Sequence, residues 1–554
     1  MKQFTLNILH ILNRRERVTI IRLILLDLLI GALDIAFLAG ILLVINYYTS
    51  NKASNSSFLF PIKGGKNSLL VIGIFFLLFA FKNLLGYFIS ASGNSFFYEV
   101  ASRLSRLNIL HYLKDDYIKF INTNSSVHVR KTSQQPIEFS NYILINIQQI
   151  ITQSALIFFT VVAILLYHPV LFLLLFLLLS PPVVLLAWFI KQQLSNVRAT
   201  VKVTSEKTIQ HLQESLSGYI ESNIYNKNTF FIDRYHGFQK KLNKNISTQQ
   251  NLQVLPSRLI EVFAIFGLFI LIVISKILTR SNAIDLPAIG VFMAASYKII
   301  PGIIKILNST GQIKTYRFTV DGLLESNLKN TESNPHVTIP INSLEFNSVW
   351  FKYKQDELLN GLSFNIIPGD FAGISGSSGR GKTTLINLLL GFLVQESGLI
   401  RINYQATNNC ERHQYWPKIA YVKQQPFFIN DTICKNITLT DEDHNTEKLA
   451  EVLLFCGITE MLDQYPEGIN KQVSENGKNI SGGQRQRIML ARALYHEFDL
   501  LILDEPFSEM DEAAEKILLE KLVGLAQKGK MILFITHNKN SLAYCNKIIS
   551  LNGE

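Results

Sequence analysis

The sequence predicts two domains of different class: an all-α membrane domain of six transmembrane helices, followed by an α/β domain of P-loop type. Three observations predict this. The stretch ALIFFTVVAILLYHPVLFLLLFLLLSPPVVLLAWFI at 155–190 contains no acidic or strongly basic residue. Residues 376–383 read GSSGRGKT, which fits the pattern G-x-x-x-x-G-K-S/T. Between these halves lies ESNLKNTESNPHVTIPINS, a polar segment with two prolines and the composition of a linker. The expected layout is a membrane domain over 1–310, a linker over 311–343 and a nucleotide-binding domain over 344–554.

The apolar runs set the class of the first half. A single helix over 155–190 would be roughly 54 Å long, well beyond the ~30 Å hydrocarbon core. The Tyr167-His168-Pro169 break therefore divides it into two spans. The six expected spans are about 18–47, 68–92, 150–167, 170–190, 258–279 and 284–308. So many runs of about 20 apolar residues are rare in soluble cores.

Composition agrees. The chain is 48% hydrophobic with a formal net charge of +11. Its Lys and Arg residues are not interleaved with aromatics in blocks, so nucleic acid is not an expected partner. They cluster in two long segments between spans, including Arg103, Arg106, Arg130 and Lys131 in one and Lys202, Lys207, Arg234 and Lys240 in the other. The opposite loops carry only Lys52, Lys63, Lys66 and Arg280. The positive-inside rule then puts both long segments, both termini and the P-loop domain in the cytosol, with the chain multi-pass in the cytoplasmic membrane. The N-terminal MKQFTLNILHILNRRERVTII has no small-residue cleavage site and reads as a short amphipathic helix on the membrane surface. Cys410, Cys434, Cys456 and Cys545 lack metal or disulfide spacing and read as free thiols.

The second half carries the chemistry. Gly376, Ser377, Ser378, Gly379, Arg380 and Gly381 precede Lys382, Thr383 and Thr384, between the strand-like DFAGIS and the helix opening TLINLLLGF. Glycines let backbone N–H groups curl around phosphate oxygens, and the helix N-terminus adds its positive end. Lys382 is the expected partner of the β- and γ-phosphates, and Thr383 an expected Mg²⁺ ligand. The stretch FDLLILDEP ends a strand in Asp504, a second Mg²⁺ ligand, and Glu505, a candidate general base for an attacking water.

Ahead of that strand stands NISGGQRQRIMLARALY, in which Ser481-Gly482-Gly483-Gln484 resembles the signature sequence of ATP-binding cassette (ABC) ATPases. The order of P-loop, signature and Asp-Glu strand is the order of that family, and six spans before one cassette resemble an exporter-type half-transporter. The resemblance implies roles for further residues. Tyr353 in VWFKY would stack on adenine. Gln424 in YVKQQPFF would be the Q-loop glutamine touching Mg²⁺ and water, with Gln425 the rival. Ser508-Glu509-Met510-Asp511 would be the D-loop, and His537 the switch histidine at the γ-phosphate. It also implies that each ATP lies between one P-loop and the signature of a second copy, so a homodimer using ATP and Mg²⁺ is expected. Tips of the cytosolic extensions, near Ser125–Ser133 and Glu214–Tyr225, would dock on the cassettes. Three departures stand out: Arg380 where a small residue is usual, Ile480 before the signature, and SEMD in the D-loop.

The implied function is ATP-driven export or flipping of a lipid-linked saccharide, lipid or peptide across the bilayer by alternating access. A membrane-anchored regulatory ATPase without transport is the alternative. The sequence before the first span is too short for a peptidase domain, so cleavage-coupled peptide export is not expected. Asp27, Asp34, Lys82 and Lys298 fall inside predicted spans and are either a polar chamber or helix-pairing ion pairs.

Overall fold

The computed structural model describes residues 2–49, 70–114, 117–167, 169–277, 286–328, 338–353, 356–377 and 379–551. Several expectations lie outside these residues: the loop cations Lys52, Lys63, Lys66 and Arg280, the break residue His168, Ser378 of the phosphate loop, the span ends at 68–69, 278–279 and 284–285, and linker positions 329–337. The chain divides into two units, one of residues 1–115 and 119–331, the other of residues 116–118 and 332–554.

The first unit is helical. Its long helices are Arg14–Thr49, Leu70–Lys114, Ile145–Tyr167, Pro169–Ser217, Asn228–Ile277 and Leu286–Thr315. Pro169 opens its helix, where its missing N–H costs nothing. Among the described residues, Ile72–Lys114 and Ser125–Val162 are long and apolar enough to cross a membrane. The 45 residues of Leu70–Lys114 make roughly 68 Å of helix and the 50 of Asn228–Ile277 roughly 75 Å, against ~30 Å of hydrocarbon. Each is thus longer than a hydrocarbon core is thick. The first extension turns at the short helix Tyr117–Asn122, and Asn124 then starts Ser125–Val129. The stretch Ser125–Ser133, expected at the tip, belongs instead to the returning limb. The second tip is Tyr219–Ile224, within the expected segment, with Tyr219, Ile220, Ile224 and Tyr225 all exposed.

Two polar readings are resolved here. Lys82 forms a salt bridge with Asp34, is 4% exposed, and lies 4.8 Å from the Phe79 ring centroid. Asp27 accepts from Gln148 Nε2 at 2.5 Å. Ion pairing thus explains Asp34 and Lys82, while the side chain of Lys298 lies outside the described residues. The N-terminal helix Lys2–Ile11 is also better covered than a membrane-surface helix would be. Ile8, Ile11 and Leu12 are buried in one cluster with Phe97, Val100, Val320 and Leu323, so protein covers that side of it, leaving Leu6 and Leu9 exposed.

The second unit is an α/β domain with strands β1 (Leu344–Tyr353), β2 (Asp356–Ile366), β3 (Phe371–Ser375), β4 (Ser397–Ile402), β5 (Gln405–Ala406), β6 (Ile419–Val422), β7 (Asp431–Thr432), β8 (Gln472–Val473), β9 (Leu500–Asp504), β10 (Met531–Ile535) and β11 (Lys547–Ser550). An antiparallel sheet runs β2-β1-β4-β5, and a parallel sheet runs β11-β3-β10-β9-β6. The central strands are apolar up to their carboxyl ends because both faces are covered. Leu501, Leu503, Ile532 and Phe534 enter one core, and Leu500, Ile502, Leu533 and Ile535 enter the other. Ile535 is in register with both Ile374 and Asp504. The carboxyl ends of β3, β9 and β10 therefore lie side by side, where parallel sheets place ligand sites.

Candidate nucleotide site

Each chemical group is delivered by one of those strand ends. After β3 the chain passes through Gly379 at φ +83° and Gly381 at φ +89°, left-handed conformations that side chains disfavour. Gly381 then caps the helix Lys382–Leu389 without any side-chain cap bond, so the leading N–H groups keep their donor capacity. Lys382 is 8% exposed and its Nζ donates to the Gly376 carbonyl at 3.1 Å. Thr383 faces outward while Thr384 is buried. Arg380 is exposed, so its side chain leaves the loop clear, and Ser377 is exposed beside it.

After β9, Glu505 adopts φ +50°, a strained conformation worth on the order of 1–3 kcal/mol for a residue with a side chain. Its carboxylate is gripped from several sides. Gln424 Nε2 donates to Oε2 at 2.8 Å, His537 Nε2 lies 2.9 Å from Oε1, and Lys382 Nζ lies 3.6 Å from the same oxygen. Lys382 Nζ is also 2.6 Å from His537 Nε2. That ring nitrogen can accept from Lys382 or donate to Glu505, one at a time. Asp504 is 5% exposed and receives a 3.5 Å bond from the Tyr421 hydroxyl. Burial, and then the neighbouring Glu505 charge, hold its carboxyl above the ordinary aspartate range.

The structure thus joins Lys382, Gln424, Asp504, Glu505 and His537 in one cluster. Gln425 takes no part in this network. Tyr353 is half-exposed and packs edge-on against Phe351 at 4.9 Å. Ser481 caps the helix Gly482–Tyr495 in a capping box with Gln484, whose side-chain oxygen also accepts from the Tyr465 hydroxyl at 3.2 Å. Among the described residues, no hydrogen bond or ion pair joins Ser481–Gln484 to the phosphate loop. Tyr421 was not anticipated. Its only sequence signal is its place in β6, the strand beside β9.

Residues 359–508 match the ABC transporter family. That match lies within the second unit, the α/β domain that holds the site, and the helical unit precedes it in sequence. An export ATP-binding/permease protein of Rickettsia bellii is 38% identical over 218 residues. An ABC transporter ATP-binding/permease protein of Haemophilus influenzae is 31% identical over 229 residues. The aligned chain spans only 38% and 41% of those relatives' lengths. An ATP-dependent lipid A-core flippase of Burkholderia thailandensis is 26% identical over 371 residues, 66% of this chain and 62% of that one, so the likeness reaches into the helical unit. The structure of a bacterial Atm1-family ABC exporter with ATP bound superposes with a TM-score of 0.76 and 18% identity, covering 97% of this chain and 93% of that one. The chain therefore shares the fold of that structure over most of its length.

Proposed function

We propose that this protein is an ATP-driven exporter or flippase of the cytoplasmic membrane, working as a homodimer with six spans per copy. The observation that carries the reading is the Glu505 carboxylate, held by Gln424 and His537 beside the phosphate-loop Lys382. Lys382 and the free N–H groups of its helix bind the β- and γ-phosphates of ATP, and Tyr353 packs on the adenine. Thr383, Gln424 and Asp504 are the residues that would hold Mg²⁺, which neutralises charge between the phosphates. Glu505 takes the proton of the attacking water as its oxygen bonds to the γ-phosphorus. The bond to the bridging oxygen breaks, and ADP and phosphate leave. Ser481, Gly482, Gly483 and Gln484 act on the ATP of the partner copy, which explains why they stand apart from this chain's own phosphate loop. Closure of the two cassettes drives the polar extensions and switches the membrane cavity.

A lipid-linked saccharide or lipid is the favoured cargo, because the likeness to the flippase of Burkholderia thailandensis extends beyond the ATP-binding domain. A peptide is the other candidate. The test is reconstitution in vesicles. ATP should drive cargo to the lumen, and Glu505→Gln should abolish both hydrolysis and transport while retaining bound ATP. Hydrolysis without accumulation of any lipid-linked saccharide, lipid or peptide would favour a regulatory membrane ATPase.

A further inference from the structure

The D-loop of this chain, with Glu509 and Met510 in place of small residues, is built into the signature turn. Gln486 Nε2 donates to Ser508 Oγ at 2.9 Å, and the Glu509 N–H donates to Gln486 Oε1 at 3.0 Å. The Glu509 carboxylate lies 2.9 Å from Arg485 Nη2. It also fills the space that a side chain at Gly482 would need: a Cβ there would stand 1.9 Å from Glu509 Oε2 and 2.9 Å from its Cβ. Arg485 is in turn wedged against the turn Glu475–Gly477, since a Cβ on Gly477 would meet its Cδ at 3.0 Å. The carboxylate is thus seated at the first turn of the helix Gly482–Tyr495, the end where negative charge is favoured.

We propose that Glu509 is a positioning residue for the trans ATP clamp: through Arg485 and Gly482 it fixes the signature turn in the geometry that meets the partner's nucleotide. A small residue at this position could supply neither the ion pair nor the packing. The D-loop and signature turn then move as one piece, so the clamp is set by the same loop that follows the catalytic Glu505.

This rests on the reading that Ser481–Gln484 act on the partner's ATP. The test uses the full-length protein in lipid, with steady-state hydrolysis and fluorescent-nucleotide binding measured together. Glu509→Ala should raise the KM for ATP about tenfold, with kcat reduced less, while nucleotide binding to the phosphate loop of the unclosed protein stays unchanged. Arg485→Met should do the same. Glu509→Asp, which keeps the negative charge at the helix N-terminus, should undo at least half of the rise in KM. An unaltered KM in Glu509→Ala would overturn the proposal, as would a Glu509→Asp variant no better than Glu509→Ala. Ser481→Arg separates the two levels: if it leaves hydrolysis intact, the trans clamp itself is wrong, whatever Glu509 does.

Discussion

Arg492 and Asn436 lock together the helices Gly482–Tyr495 and Ile433–Thr438. Arg492 Nε donates to the Asn436 carbonyl at 2.6 Å and Nη2 to its side-chain oxygen at 3.2 Å, while Nη1 reaches the Phe427 carbonyl at 2.8 Å. Asn436 is fully buried, and its amide also donates to the carbonyls of Ile429, Asp431 and Thr432. Burial pulls the Arg492 guanidinium down to about 10, still charged at neutral pH. The helix Gly482–Tyr495 and the segment 427–436 thus form one block. Arg492→Ala strands buried carbonyls and should destabilise the ATP-binding domain by about 3 kcal/mol. Differential scanning fluorimetry of the full chain should show the lower transition shifted down, and an unchanged transition would refute the lock.

Gln424 holds one oxygen of the Glu505 carboxylate by a 2.8 Å bond. Removing that bond leaves His537 and Lys382 pulling on the other oxygen alone, which tilts the carboxylate away from the position set by all three. Gln424→Ala should lower kcat about 10²-fold with ATP affinity nearly intact, because misplacement of a reacting group costs rate before it costs binding. Stopped-time phosphate release against nucleotide titration distinguishes the two.

Gly381 sits at φ +89°, where a Cβ costs roughly 1–2 kcal/mol and would press on Leu359 Cδ2 at 3.3 Å. Gly381→Ala should therefore distort the start of the helix that carries Lys382 and weaken nucleotide binding about tenfold or more. Equilibrium titration with a fluorescent ATP analogue measures this directly. Wild-type affinity in the variant would show that the loop tolerates the side chain.

Asp34 and Lys82 form an ion pair in which Lys82 is buried and Asp34 partly so, which predicts a strongly non-additive cycle. Asp34→Asn or Lys82→Met alone leaves one charge uncompensated and should cost about 3–5 kcal/mol. The double variant should recover most of that loss. Unfolding of the detergent-solubilised protein provides the four corners. Additive losses would mean that the pair contributes nothing through its charges.

The sequence made some features legible and concealed others for physical reasons. The fold class could be read because long charge-free runs and a glycine-spaced phosphate loop are local patterns, written in consecutive residues. The pairing of Asp34 with Lys82 could not be decided, since the partners are 48 positions apart and helix rotation determines whether they meet. The tip of the first extension was misplaced because Asn124 restarts the helix only after Tyr117–Asn122, and a polar stretch gives no periodicity to count. Tyr421 was missed because its bond to Asp504 depends on β6 lying next to β9. The seating of Glu509 on Gly482 likewise depends on two loops converging, and the sequence showed only an unusual filling.

The cover over the first helix has a practical consequence. Ile8, Ile11 and Leu12 share one hydrophobic cluster with Phe97, Val320 and Leu323, so this segment is anchored by the apolar side chains it carries. Affinity tags or fluorescent reporters grafted directly onto this segment would compete with that seating, and handles for purification belong elsewhere on the polypeptide.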